Sequence, residues 1–167
     1  HGRIWRVTAK GRKTVDHPKL VDAKIEDLLE ALKAPEDWTR RSARRVMQER
    51  GADAVAPALA TWTAKLDPAV PANEPALLEA LWTYQAFDIV EPKLLTELLN
   101  AQDYRVRAAA VRVASAWSAR LPDALDVLGP RVRDDEAQVR LEAVRALAVV
   151  PSVRSAEIAL EALDRPM

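Results

Sequence analysis

The sequence has no cysteine, only four glycines and a single phenylalanine among its 167 residues. Without cysteine the chain forms neither a disulfide nor a thiolate metal site. Few glycines and many alanines and leucines favour helices over sheets. No run of about 18 apolar residues occurs, so no segment has the pattern of a membrane span. With 49% hydrophobic and 30% charged residues, the composition is typical of a folded domain.

Sequence patterns of catalysis are missing as well. The chain has no G-x-S-x-G nucleophile motif, no P-loop and no G-x-G-x-x-G. Its two histidines, His1 and His17, have no ligand or base partner at a useful spacing. We therefore predict no catalytic, cofactor-binding or metal-binding residue, and we expect this segment to need no cofactor.

Charge is distributed unevenly along the chain. Residues 1–24 contain seven basic and two acidic side chains, a net charge of +5, so residues 25–167 carry −5. The basic stretch fits a solvated connector, or an arm that binds nucleic acid. We expect two parts: a strand remnant and basic connector over 1–24, and a helical repeat domain over 25–167 that continues beyond its C-terminus.

One sequence pattern recurs along the domain. Residues 103–117, "DYRVRAAAVRVASAW", match residues 136–150, "EAQVRLEAVRALAVV", at an offset of 33. In both copies the apolar positions follow a 4, 3, 4 spacing, which is one face of a helix. A third copy begins at Asp37 and a looser one at Pro75. Asp103 and Asp135 are expected to cap their helices, with Gln138 completing a capping box.

Leucine-rich segments of a second helix type lie between these copies. Each helix pair is too thin to bury its own apolar face, so stacked pairs must form the core. We predict an all-α fold, an α-α superhelix of about four helix pairs, preceded by one helix and a short orphan strand.

The run Asp-x-x-Val-Arg-x-x-Ala of residues 103–110 and its relative "DEAQVRLEAVRAL" resemble HEAT repeats. In that family the aspartate and the arginine commonly bridge neighbouring repeats. The resemblance therefore implies that Asp103 pairs with Arg140, and that Asp37 or Asp103 pairs with Arg107. Leu77 replaces the arginine in the second copy, which would break the ladder there. The implied inter-repeat ladder consists of Asp37, Arg40, Asp103, Arg107, Asp135 and Arg140.

The first residues differ from the helical pattern. "GRIWRVTAKG", residues 2–11, alternates apolar and polar side chains, which predicts a short strand with no partner in this chain. This stretch and the following "LLEALKAPEDWTRRSARRVMQERG" resemble a junction in large bacterial proteins of the planctomycete type, classed as membrane-bound dehydrogenases. There, a propeller similar to sorbosone dehydrogenases precedes HEAT repeats, and a cytochrome c-like domain often follows. The resemblance implies an exported, periplasmic protein.

Three functions fit a helical array of this kind. The first is a non-catalytic scaffold for protein partners or neighbouring domains, in which the excess of arginine over lysine, 18 to 7, forms salt-bridge ladders. The second is a DNA-binding protein similar to alkylpurine glycosylases, against which the acidic domain argues. The third is a lyase of the HEAT-like phycobilin group. We favour the scaffold, with self-association through an uncapped C-terminal end as a further expectation.

Overall fold

The computed structural model describes residues 2–5, 7, 10–11 and 13–164. This part of the chain contains nine α-helices joined by short turns. Their bounds are α1 Ile25–Ala31, α2 Asp37–Arg50, α3 Ala52–Thr63, α4 Glu74–Ala86, α5 Pro92–Leu99, α6 Tyr104–Trp117, α7 Ala124–Leu128, α8 Ala137–Leu147 and α9 Val153–Leu160. A 3₁₀ turn follows α7 over Gly129–Arg133, and another follows α9 over Glu161–Asp164.

The helices form two types that alternate along the chain. We call α2, α4, α6 and α8 the first-type helices; each packs on the next, most extensively α6 on α8, and all except α4 carry the repeated arginine. The second-type helices, α1, α3, α5, α7 and α9, contact the first-type helices that flank them in the chain. The prediction of an all-α superhelix of four helix pairs after a single helix is confirmed.

Glycine and proline set the helix boundaries where the sequence places them. Gly51 lies between α2 and α3 with a positive φ of 89°, a conformation that glycine adopts without a Cβ clash. Pro92 begins α5, where a missing amide hydrogen removes no intrahelical bond. At the far end, α7 stops at Leu128 and Gly129 and Pro130 continue only as a 3₁₀ turn.

The core is continuous from α1 to α8 and consists mainly of leucine and alanine. In α6, Ala108, Ala110 and Ala114 are fully buried, so its neighbours approach its backbone closely. Trp117 at the end of the same helix is the largest fully buried side chain. Helix α4 is apolar on most of its circumference and buries nine of its thirteen residues, because other helices surround it.

The strand predicted at the N-terminus is wrong for the residues that the structure describes. Residues 2–5, 7 and 10–11 form no strand, while Arg6, Thr8 and Ala9 lie outside the described residues. Ile4, Trp5 and Val7 are exposed. A strand needs a second strand to pair its backbone groups, and the described residues of the helical domain supply none. The connector is attached to the domain farther on: Leu20 is buried, and Arg50 donates to the Val21 carbonyl at 2.9 Å.

Candidate functional site

A repeated arginine organises the start of three first-type helices. Arg40, Arg107 and Arg140 each stand at the fourth helical position of α2, α6 and α8. Each guanidinium turns back and donates to the carbonyls six and five residues earlier, at 2.8–2.9 Å. The arginines therefore satisfy carbonyls in the loop that enters each helix and fix the direction of that loop.

Arg40 and Arg107 also join neighbouring repeats. Arg40 Nε lies 2.9 Å from Glu79 Oε1 of α4. Arg107 binds Asp134, in the loop before α8, with both Nε and Nη2 at 2.8 Å from its carboxylate oxygens. The latter pair is bidentate and mostly withdrawn from water, the geometry in which an arginine–carboxylate contact is strongest.

The predicted acidic partners occupy other positions. Asp103 caps α6 by accepting from the Arg105 amide at 2.8 Å, and its carboxylate binds the Arg105 guanidinium at 2.7 Å rather than Arg140 or Arg107. The hydrogen bond from Arg105 lowers the pKa of Asp103, and burial opposes it more weakly. Asp37 likewise contacts its own helix, with Arg41 at 2.8 Å. Both carboxylates thus stabilise the helix on which they lie.

The cap predicted for α8 is wrong by one residue. Glu136, not Asp135, is the N-cap, and α8 begins at Ala137 without a side-chain cap. Oδ1 of Asp134 instead accepts from the Glu136 amide at 3.0 Å, and both oxygens of this carboxylate bind Arg107. In a row of acidic residues, "DDE", sequence periodicity does not distinguish the residue that faces the preceding repeat.

A carboxylate replaces the missing arginine in α4. Leu77, at the position of Arg40 and Arg107, is buried and makes no ladder contact. The Glu74 side chain spans to the next repeat and accepts the amides of Gln102 at 2.6 Å and Asp103 at 3.0 Å. The repeated pattern predicts a break in the ladder at this unit and does not indicate Glu74 as a replacement. The sequence does contain a signal for this link: Glu74 is an acidic residue at the first helical position of the unit that lacks the arginine.

Further links between repeats come from arginines that lie outside the repeated pattern. Arg120, after α6, binds the carboxylate and carbonyl of Asp88, in the turn after α4. Arg131 donates to the Leu99 carbonyl at 2.7 Å, which satisfies the C-terminal end of α5. These pairs are 32 residues apart, close to the repeat length.

The surface formed by the first-type helices is called the first-type face below. Glu79 is a buried carboxylate at its centre. It lies between Arg40 and Arg44, whose Nη1 is 3.3 Å from its Oε2, and its side chain is 6% exposed. Burial raises the pKa of the Glu79 carboxyl, outweighing Arg44 and Arg40, which act to lower it. Arg40 donates a hydrogen bond to this carboxylate, and Oε2 has no hydrogen-bond partner among the residues that the structure describes.

Trp82 of α4 separates two open grooves on this face. One, of about 540 Å³, runs between α2 and α4 past Arg41, Arg44 and Gln48. The other, of about 650 Å³, runs toward α6 past Leu78, Glu79 and Arg105. The Arg44 guanidinium lies 5.2 Å from the centre of the Trp82 ring, a cation–π contact. The tryptophan is partly buried, so its remaining surface forms a wall of both grooves.

The other conspicuous side chains have structural contacts. Trp62 and Trp117 are buried in the core. Trp38 is 49% exposed and lies against His17, with ring centres 4.1 Å apart; His1 lies outside the described residues. Within the described part of the chain, no group of three or more histidines and carboxylates could hold a metal ion. In that same part, every helix is too short or too polar to traverse a bilayer.

Fold and contacts together define a helical-repeat protein in which arginines and carboxylates connect successive units. Comparison with protein families refines this assignment, because residues 91–166 match the family model of HEAT repeats. The matched segment covers α5 to α9, which includes the two most regular copies of the pattern. The chain matches no curated protein. It also matches no solved structure.

Proposed function

We propose that this segment is a non-catalytic scaffold that holds partner proteins or neighbouring domains, within a larger redox polypeptide. HEAT repeats fit a scaffold or interaction module, and the observation that carries the proposal here is the open face of the first-type helices. Its grooves are wide, shared between helices and flanked by arginines, as in protein interfaces.

The proposal that this segment belongs to a larger redox protein rests on a sequence resemblance. The first fifty residues resemble the junction between a propeller and HEAT repeats. In such a protein the segment would separate a dehydrogenase propeller from a cytochrome c-like domain, outside the cytoplasm. Residues 13–24 would then link the propeller to α1, a role that suits the contacts of Leu20 and Val21 with the helical domain.

The mass of the native polypeptide tests the proposed parent. An antibody raised against this segment is expected to detect, on a denaturing gel of source cells, a band several times heavier than 18.5 kDa. The same band should stain for covalently bound haem, and antibody absorbed with the purified segment is the control. A band near 18.5 kDa would contradict the multidomain proposal and would indicate that the segment is a free-standing adaptor protein.

Self-association through the C-terminal end is a second proposal, with another copy of this chain as the occupant. The last two helices and the turns that follow each of them expose large apolar side chains. These are Leu141, Val149, Val153, Leu160 and Leu163. Burying such a patch between two copies removes apolar surface from water.

Sedimentation equilibrium of the purified segment is expected to show a concentration-dependent dimer. Replacing Leu160 and Leu163 with serine should leave a monomer, since both side chains are more than half exposed. Val70→Ser, at another exposed apolar site, is the matched control. A wild-type segment that stays monomeric at all concentrations would contradict the proposal.

A further inference from the structure

Charge is separated between the two helix types. The first-type helices contain ten arginines, no lysine and five carboxylates, a net charge of +5. The second-type helices contain one lysine, one arginine and seven carboxylates, a net charge of −5. The net charge of the whole chain is zero, but its first-type helices form a basic layer and its second-type helices form an acidic layer. A field of this kind attracts acidic partners to the first-type face and repels them from the other.

Helix α4 forms the floor of the grooves on the first-type face. It contains no basic residue, and its two carboxylates, Glu74 and Glu79, are buried. Between α2 and α6 it presents the stripe Pro75, Leu78 and Trp82, all of which line the second groove. An apolar floor is thus bordered by arginines of the helices on both sides, with Arg41 and Arg105 72% and 74% exposed.

We infer that this face binds an extended acidic segment of a partner protein, which places an apolar or aromatic side chain against Trp82 and carboxylates beside Arg41, Arg44 and Arg105. The inference rests on the proposed interaction function and specifies the chemistry of the partner. Arginine forms bidentate bonds with carboxylates, and tryptophan provides a rigid apolar contact area.

A peptide suits this face better than nucleic acid does. The grooves, about 540 and 650 Å³, have the volume of sites that receive a few side chains. Asp37 and Asp103 border the same grooves and would repel a continuous row of phosphates. A peptide instead alternates carboxylates with amides and apolar groups, and its amides can donate to those aspartates.

The test uses a short fluorescein-labelled peptide in which Asp and Glu alternate around a central Phe–Leu pair. Fluorescence anisotropy with the whole chain should give an affinity at least about tenfold higher than for the same peptide with Asn and Gln. Salt should weaken the binding, because exposed charges are screened. A single-stranded oligothymidylate of equal charge is the third ligand, and tighter binding of this oligonucleotide would overturn the inference.

Variants locate the site. Charge reversal at both Arg41 and Arg105 to glutamate should reduce peptide affinity by about tenfold or more. Arg154→Glu, equally exposed but on α9, should change it less than about twofold. Trp82→Ala should weaken binding similarly, and the matched Trp38→Ala should not. If the variant with both charges reversed unfolds, glutamine replaces glutamate at the same two positions. Groove variants that bind the peptide as tightly as their controls would show that the peptide does not bind at this site.

This inference and the proposed function fail in distinguishable ways. If a protein captured by cross-linking in the source cells binds the Arg41 and Arg105 variant as it binds the wild type, the acidic-peptide site is wrong and the scaffold stands. If cross-linking and the mass of the native polypeptide give neither a partner nor a neighbouring domain, the scaffold proposal itself is wrong.

Discussion

Replacing Ala110 with leucine is expected to lower the free energy of unfolding by about 1–3 kcal/mol, the usual cost of adding methylenes to a packed core. Ala110 lies in α6 and is fully buried, as is Ala143 of α8, its equivalent 33 residues later. Helices α6 and α8 form the most extensive contact of the array. A leucine at either position must therefore move a helix or adopt a strained rotamer.

Ala116→Leu is the matched control, because Ala116 lies on the same helix but is exposed. Urea unfolding followed by far-ultraviolet circular dichroism gives the midpoint and slope for all three variants. Wild-type midpoints for Ala110→Leu and Ala143→Leu would show that these alanines do not face a close helix contact. In a repeat array the loss should be concentrated at the interfaces next to the substituted helix, which also makes the transition broader.

The helical architecture was predictable because it depends on local patterns that are repeated. The 4, 3, 4 spacing of apolar residues, Gly51 after α2 and Gly129–Pro130 after α7 each specify an element or a boundary within a few residues. Since every copy uses the same pattern, each agreement between copies strengthened the prediction. The orphan strand failed for the opposite reason: alternation alone does not form a strand when no second strand is present.

The partners of the ladder were not predictable from the pattern, since they depend on how adjacent units are placed. Arg107 binds Asp134 rather than Asp37 or Asp103. Arg40 binds Glu79, which lies at a variable position of the copy in α4. Glu74 takes the place of the arginine although its charge is opposite. Its carboxylate accepts hydrogen bonds from backbone amides, whereas the arginines donate to backbone carbonyls. The repeated pattern indicates the arginines as candidate positions, but it does not predict which groups they contact.

The pair formed by Arg107 and Asp134 is expected to be the strongest single ionic contact between repeats. Arg107→Leu should lower the free energy of unfolding by about 2–3 kcal/mol, somewhat less than for a fully buried pair. It leaves the Asp134 carboxylate, 8% exposed, without its cation, and the Ala101 and Gln102 carbonyls without a donor. Asp134→Asn should cost a similar amount, because it leaves the guanidinium, 16% exposed, unpaired.

A double-mutant cycle isolates the contact. The coupling energy between Arg107→Leu and Asp134→Asn should be about 1–3 kcal/mol, as for residues in one buried network. The control is the cycle of Arg154→Leu with Asp126→Asn, an ion pair at 3.2 Å whose side chains are 68% and 64% exposed. That pair should couple by less than about 1 kcal/mol. Additive losses at Arg107 and Asp134 would mean that the ladder does not connect the repeats energetically.

The same pair gives the fold a defined dependence on pH. Burial raises the pKa of Asp134, but hydrogen bonds from Arg107 and from the Glu136 amide outweigh it, and the net shift is below the ordinary value of 3.8. A carboxyl whose pKa is lower in the folded state stabilises the fold above its unfolded pKa. That contribution is lost as the pH falls through the folded pKa. The difference in stability between wild type and Asp134→Asn should therefore be constant near neutrality and shrink below about pH 4.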